Sequence, residues 1–449
     1  MSLDSPKPSV VVLGGGMAGL SCAHELASMA DVVVLERESW LGGRMHSERL
    51  APDGPWGNFG AQMITADRVN VVRLARAVGC SLTTVKWAHV LDRARLTFQG
   101  MHVGTGDQEV LRQTIERLED EQSRRRDPAL SELDDRSFAD WLGDLPATVR
   151  DFWEEWSQGL ANARTEEISL YAAMCLWGDQ RVSPWRDAKL ARHDLGDCVV
   201  DGGTGELGRL LGESLRDRCV TTFEVLECRP GAAGYVINGT QGGVERDFEA
   251  TNVVCALPAP EALEVLPWLP EWKRAALASV SYGRFLVTPI WVGPAGQCSE
   301  FVTAEAHRDG VTYALPAFPL RTSADPDEHG ACYQSWVNDG DAQEIWEDSD
   351  ESIRSGVRAA FLRRFPEYAE RIVGIGVKRW RFGLPKFAPG RVKTAPLLVA
   401  PVDALHFCGD YLGIANLEQA SLSGRDAARA VLGVSPVESI IGYAGASPL

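Results

Sequence analysis

Apolar positions near the start of the chain fall into two runs, Val10 to Leu13 and Val32 to Leu35, with a helical pattern between them. The first run stops at Gly14, Gly15 and Gly16. Gly19 follows, and then Leu20, Ala23, Leu26 and Ala27 recur at helical spacing. The second run ends on Glu36. The order is strand, glycine turn, helix, strand, acid. Each part suits one end of a dinucleotide. Gly14 makes the tight turn, Gly16 lets the backbone approach a pyrophosphate, and Gly19 lets helix and strand pack closely. The helix start offers free N–H groups and the positive end of its dipole to phosphates, and Glu36 can hold ribose hydroxyls. An ordinary glycine loop is the competing reading, and it leaves the placement of Glu36 to chance.

Further along, the period changes several times. Gly42, Gly43 and Arg44 follow the second strand, where close backbone approach and a guanidinium suit a phosphate or a ring system. The run Gly57, Gly60, Ala61, Gln62 suits the edge of a planar ligand, or else a simple turn. From about Val69 to Arg192 the pattern predicts mostly helices: VVRLARAVG, a charged amphipathic stretch QEVLRQTIERLEDEQSRRR ending at Pro128, then SFADWLGDL, VRDFWEEWSQGL and SLYAAMCLWG. Trp141, Trp153, Trp156 and Trp177 read as core, with Tyr171 and Trp177 kept as candidates for facing a substrate. CVVDGGTGELGRLL repeats the order strand, glycine turn, helix. CVTTFEVLEC, GYVING, ATNVVCALP, FLVTPIWV and ACYQSWV read as strands, and a helix is predicted from Ser352 to Phe365. The last segment is a strand ending at Gly409-Asp410 and a helix from near Leu417 through Ser421, Gly424 and Ala428. The two ends therefore carry nucleotide-type units around different material.

Composition narrows the classes. The chain has 449 residues, 45% of them hydrophobic, enough for a large core in two or three domains. A net charge of −17 argues against nucleic acid as a partner. Ten cysteines are scattered singly, without a C-x-x-C pair, and the eight histidines form no H-E-x-x-H pattern. A metal site or disulfide framework is not expected, and a reducing cytoplasm fits. No basic region plus apolar core opens the chain, and no apolar run is long enough to span a bilayer, so neither a signal peptide nor a stable membrane anchor is expected. Arg outnumbers Lys, a bias common in GC-rich bacterial genomes. A homodimer is left open.

GGGMAGLSCAHEL, VVVLERESWLGGRMHSE, VVDGGTGELGRLL and FCGDYLGIANLEQASLSGRDAA together resemble the FAD-dependent amine oxidase superfamily, which includes monoamine oxidases, protoporphyrinogen oxidase and carotenoid desaturases. The resemblance implies an α/β fold: a Rossmann-type FAD-binding domain with an inserted α+β substrate domain of mixed sheet plus helices. The pieces would be residues 1–84, 198–262 and 375–449 for FAD, and 85–197 and 263–374 for substrate. It further implies that Gly14, Gly16, Met17, Ala18 and Gly19 hold the pyrophosphate turn and Glu36 the adenosine ribose. Arg37, Gly42, Gly43 and Arg44 would line the adenosine–pyrophosphate path. Gly60, Ala61, Gln62 and Met63 would pass beside the isoalloxazine, and Val225 would touch adenine through its backbone. Gly409 and Asp410 would bind a ribityl hydroxyl or phosphate, and the backbone at Asn416 and Leu417 would face flavin N1 and O2, where a helix N-terminus steadies negative charge.

Departures from the family shape the functional expectation. Arg381 to Gly390 contains no cysteine for attachment, so FAD is expected to be non-covalent. The positions of the paired aromatic rings hold Asn416 and Gly383 or Pro385. The strand YGRFLVTPIWV has no lysine, leaving Arg284 as its nearby cation. Trp380, in KRWRFGLPKFAPG, belongs either beside the flavin or in the core. The substrate-facing candidates are thus Trp380, Asn416, Arg284, Tyr171 and Trp177. The expected activity is oxidation of an amine or amide-type C–N bond in a small to medium organic molecule, with O2 as electron acceptor. The alternatives are a desaturase or dehydrogenase of an apolar substrate and a non-catalytic flavin-binding module.

Overall fold

The computed structural model describes residues 8–50, 55–84, 91–92, 97–98, 101–102, 106–124, 130–179, 194–293, 302–308, 311–320 and 330–434. Its centre is a five-stranded parallel sheet in the order Cys219–Val220, Asp31–Leu35, Ser9–Leu13, Asn252–Cys255, Leu405–Phe407. The apolar runs are nearly continuous because both faces are covered. Val10, Val12, Val32 and Val34 point to one side, into a core shared with the helices Met17–Leu26, Thr204–Ser214 and Leu417–Val431. Val11, Leu13, Leu35 and Val253 point to the other, against the antiparallel strands Phe223–Gly231 and Gly234–Gln241 and the helices Ala259–Val265 and Glu271–Ala278. This is the α/β nucleotide layer that the two ends of the chain predict.

The material between them forms two further units. One is helical, with Leu111, Leu118, Phe138, Trp153, Trp156 and Trp177 packed in a single aromatic-rich core. The other is a seven-stranded sheet with an antiparallel path Val302–Arg308, Val311–Leu320, Ala331–Val337, Tyr282–Val287, Lys378–Pro385. The helix Asp350–Arg364 belongs to the same apolar cluster, and the Ser349 hydroxyl caps it by accepting from the Ser352 N–H.

The described part of the stretch from Val69 is mostly helical, as expected, with short strands inside it. Leu82–Thr84 forms a strand on Cys198–Val200, and Leu91–Asp92, Thr97–Phe98 and Met101–His102 make a small meander. The β-branched Thr83 and Thr84 favour the extended backbone once a partner strand is present. One expectation needs correction: FLVTPIWV is not one strand. It breaks between Val287 and Ile290, because Pro289 has no N–H to continue a ladder. The end of the charged helix lies outside the described residues beyond Arg124, where Gln108–Arg124 stops.

Candidate active site

Gly14 has φ +101 and donates its N–H to the Leu35 carbonyl at 2.8 Å, closing the turn between the first two strands. A Cβ on Gly19 would lie 2.0 Å from the Gly14 oxygen, whereas one on Gly16 would meet nothing within 4 Å. The two glycines therefore differ. Gly19 is required by packing inside the protein, and Gly16 faces open space at the start of the helix Met17–Leu26. No side chain caps that start, so its N–H groups are left for another acceptor. Met17 and Ala18 are buried beneath the turn.

Glu36 stands at the end of the second strand, 8% exposed. One carboxylate oxygen accepts from the Gly15 N–H at 2.7 Å and the other from the Glu38 N–H at 2.8 Å. Burial raises its pKa above the ordinary value, against those two bonds. Each oxygen keeps a further lone pair for a hydroxyl donor. Arg37 turns outward and pairs with Glu261 at 3.1 Å. Gly42 donates to the Gly15 carbonyl at 2.8 Å, laying the Gly42–Gly43 backbone along the turn.

Arg44 joins the units. Its guanidinium donates to Asp410 at 2.9 Å and to the Gly383 carbonyl. It thus ties the opening unit to the closing loop and to the strand Lys378–Pro385. Its own carbonyl accepts from the Ala61 N–H at 2.9 Å and sits against Gly60. The Trp380 indole N–H donates to the Phe59 carbonyl, fixing the ring beside the Gly57–Gly60 run. Gln62 donates to the Gly60 carbonyl at 2.8 Å, while its Oε1 is buried without a partner. Met63 is half-buried beside it. Gln419, on the first turn of the closing helix, is 6% exposed and its Nε2 is also unpartnered. Orphaned buried donors and acceptors are rare and ask for a ligand or water. Gly409 donates to the Ser423 hydroxyl at 2.9 Å, which holds Asp410 at the end of the last strand. Val225 is half-buried on the first antiparallel strand, at a register shift. Leu417 packs against the nucleotide core.

The substrate-facing candidates each make contacts of their own. Trp177 is corrected: it is 1% exposed, with its ring 5.1 Å from that of Trp153 and 5.6 Å from that of Trp156, so it belongs to the helical core. Asn416 caps the closing helix, accepting from the Gln419 N–H at 2.8 Å. The Arg284 guanidinium lies 5.1 Å over the Trp346 ring. Tyr171 packs its ring 5.6 Å from that of Phe387.

Sequence reasoning missed two lysines. Lys386, 7% exposed, sits between Asp339 at 2.7 Å and Glu167 at 2.5 Å. Asp339 also accepts from the Arg284 N–H at 2.8 Å and donates its own N–H to Asn162 at 2.8 Å. This network locks the helical unit to the antiparallel sheet. Its only local signal is a lysine directly after Pro385, and its partners are distant in sequence. Lys273 is fully buried, and burial pushes its amine down to about 7. It donates to the carbonyls of Leu397, Leu398 and Ala400 at 2.6 to 3.0 Å, closing the end of the helix Arg391–Val399.

The arrangement fits an elongated dinucleotide cofactor. Gly16, Gly42 and Gly43 would hold a pyrophosphate, Glu36 a ribose, and Gln62 and Gln419 the polar edge of a ring. Among the described residues no cluster of metal-binding side chains occurs and no helix is long and apolar enough to cross a membrane.

Comparison with known proteins agrees. The family described as flavin containing amine oxidoreductase matches residues 17–432. An L-amino acid dehydrogenase of Synechocystis is 22% identical over 94% of both chains. Among solved structures, cyclohexylamine oxidase from Brevibacterium oxydans superposes with a TM-score of 0.76 at 16% identity, over 95% of this chain and 99% of that one. Wild-type putrescine oxidase bound to putrescine gives 0.74 at 17% identity, with the same coverage.

Proposed function

The chain belongs to the flavin containing amine oxidoreductase family, and from that premise we propose that this FAD-dependent oxidoreductase oxidises the C–N bond of a small to medium organic amine, with O2 as electron acceptor. One observation carries the cofactor side of the reading: Gly16 faces open space beside the uncapped helix start, within a turn whose carboxylate, Glu36, is already fixed by backbone donors. The amine side is supported by the family and by the fold shared with two amine oxidases.

Bound FAD supplies the hydride acceptor. The protein's contribution is position and enclosure. Arg44 and Asp410 hold the closing loop against the opening turn. Trp380, anchored to Phe59, sets one wall beside the Gly60–Gln62 segment. The start of the helix Leu417–Val431 brings a positive dipole end to the closing side. The Lys386–Asp339–Glu167 network keeps the substrate sheet in register with the helical unit. The reading needs no side-chain base when the amine arrives neutral. Non-covalent attachment is supported by the absence of cysteine from Arg381 to Gly390. The nine described cysteines are all unbonded, which supports a reducing compartment such as the cytoplasm.

The test is release. Denatured, yellow protein should free FAD into the supernatant at one per chain, and aerobic turnover of an amine should yield one hydrogen peroxide per amine consumed. Flavin that stays with the precipitate overturns the non-covalent reading, and turnover only with an artificial acceptor overturns the oxidase reading.

A further inference from the structure

A cavity of about 470 Å³ opens beside the loop that follows Glu36, and neither Glu36, Arg44 nor Asp410 borders it. Trp40, His46 and Trp56 line it, together with Leu41, the helix Thr204–Ser214 and Arg216. We infer that this cavity binds a planar aromatic ring carrying an anionic group.

The ring follows from the walls. Trp40 and His46 lie with ring centroids 4.3 Å apart, and Trp56 adds a third flat surface. Such walls favour stacked or edge-on aromatic partners over flexible chains.

The anion follows from the charges. The Lys378 ammonium lies 4.5 Å over the Trp40 ring, and the Arg49 guanidinium 4.5 Å over the Trp56 ring, so positive charge stands behind two of the three aromatic walls. The lining carboxylates are already engaged: Glu206 takes two bonds from Arg209, at 2.7 and 2.6 Å, and Glu213 takes a third. Arg216 has no carboxylate partner among the described residues. It is left to meet an anion, for which its planar fork is well suited.

Four described non-glycine residues have positive φ, and two of them flank this cavity: Arg216 at +55 and Thr222 at +54, next to the lining Thr221. Arg216 directly follows Leu215, the C-cap of the helix Thr204–Ser214, where a left-handed residue commonly ends a helix, so the helix end sets its place beside the cavity. Leu41 lines the cavity and also packs over Gly15, so an occupant bears on the back of the cofactor turn.

The test is calorimetric titration of the FAD-loaded protein with indole-3-acetate, with tryptamine and acetate as controls. Indole-3-acetate should bind once per chain with a dissociation constant of about 1 mM or tighter, and at least tenfold more tightly than either control. Arg216→Gly removes the guanidinium and relieves the positive φ. It should weaken indole-3-acetate at least tenfold without lowering the melting temperature or the flavin content. Arg216→Lys keeps the charge without the planar fork and should retain only part of the binding. No saturable binding overturns the inference. So does binding unchanged in Arg216→Gly, which would place the probe at the flavin face instead. Both results leave the flavin-release test above untouched.

Discussion

Gly16 and Gly19 stand three residues apart in one turn, yet substitution should separate them. Alanine at Gly19 places a methyl 2.0 Å from a backbone oxygen that cannot move without opening the turn. Gly19→Ala should lower stability by several kcal/mol, in the range of overpacked core sites. Alanine at Gly16 meets no protein atom, so Gly16→Ala should leave the melting temperature of the FAD-free protein unchanged while weakening FAD at least tenfold. Equal effects of the two on stability would show that Gly16 serves the fold alone. Glu36 gives a companion prediction. Burial raises its pKa in the FAD-free protein, and on the proposed reading ribose hydroxyls would donate to it and favour the charged form. FAD binding therefore releases a proton, and affinity should fall as pH drops through the raised pKa and toward the ordinary carboxylate range. Glu36→Gln should lower affinity about 10- to 100-fold at neutral pH and flatten that pH dependence, read by fluorescence of released FAD.

At the scale of elements, the helix Val69–Ala77 depends on a residue far away. Glu418 accepts from the Asn70 N–H at 2.8 Å and the Val71 N–H at 3.0 Å, doing for this helix what no residue of its own does. Glu418→Ala should cost about 1–2 kcal/mol, as loss of a cap does, and hydrogen exchange should rise first in that helix. A second element-scale effect lies where the helix Ala147–Ala161 meets the helix Asp339–Glu344. Burial, with help from Asp341 and Glu154, pushes Glu155 up to about 7. The neutral carboxyl is stabilising below the unfolded value near 4.5, and that contribution is lost as pH rises through 7. Glu155→Gln should therefore stabilise the protein by about 1–3 kcal/mol at pH 8 and by little at pH 4.5. These couplings mark where the sequence stops being legible. The opening strand, turn, helix and acid could be read because period and glycine spacing are local. Glu418, Lys386 and the strand at Leu82–Thr84 could not, because each owes its state to a partner more than 100 residues away. Trp177 reads as core yet stays among the substrate-facing candidates for a related reason: an indole in a helix looks the same from sequence whether it lines a pocket or fills a core.

At the scale of the whole molecule, three discontinuous stretches of chain build one nucleotide layer, and the segments between them build a helical unit and a second sheet. Arg44 links the opening unit, the sheet and the closing loop through two side-chain contacts. The cofactor should then act as a staple across all three, so FAD at 100 times its dissociation constant should stabilise the protein by about 2.7 kcal/mol. The most direct measurement is anaerobic titration of the yellow protein with a panel of primary amines and L-amino acids, alongside a polyene and a porphyrinogen. One or more amines should bleach the flavin stoichiometrically, with colour returning on admission of air. Bleaching by the polyene or porphyrinogen and by no amine would contradict it.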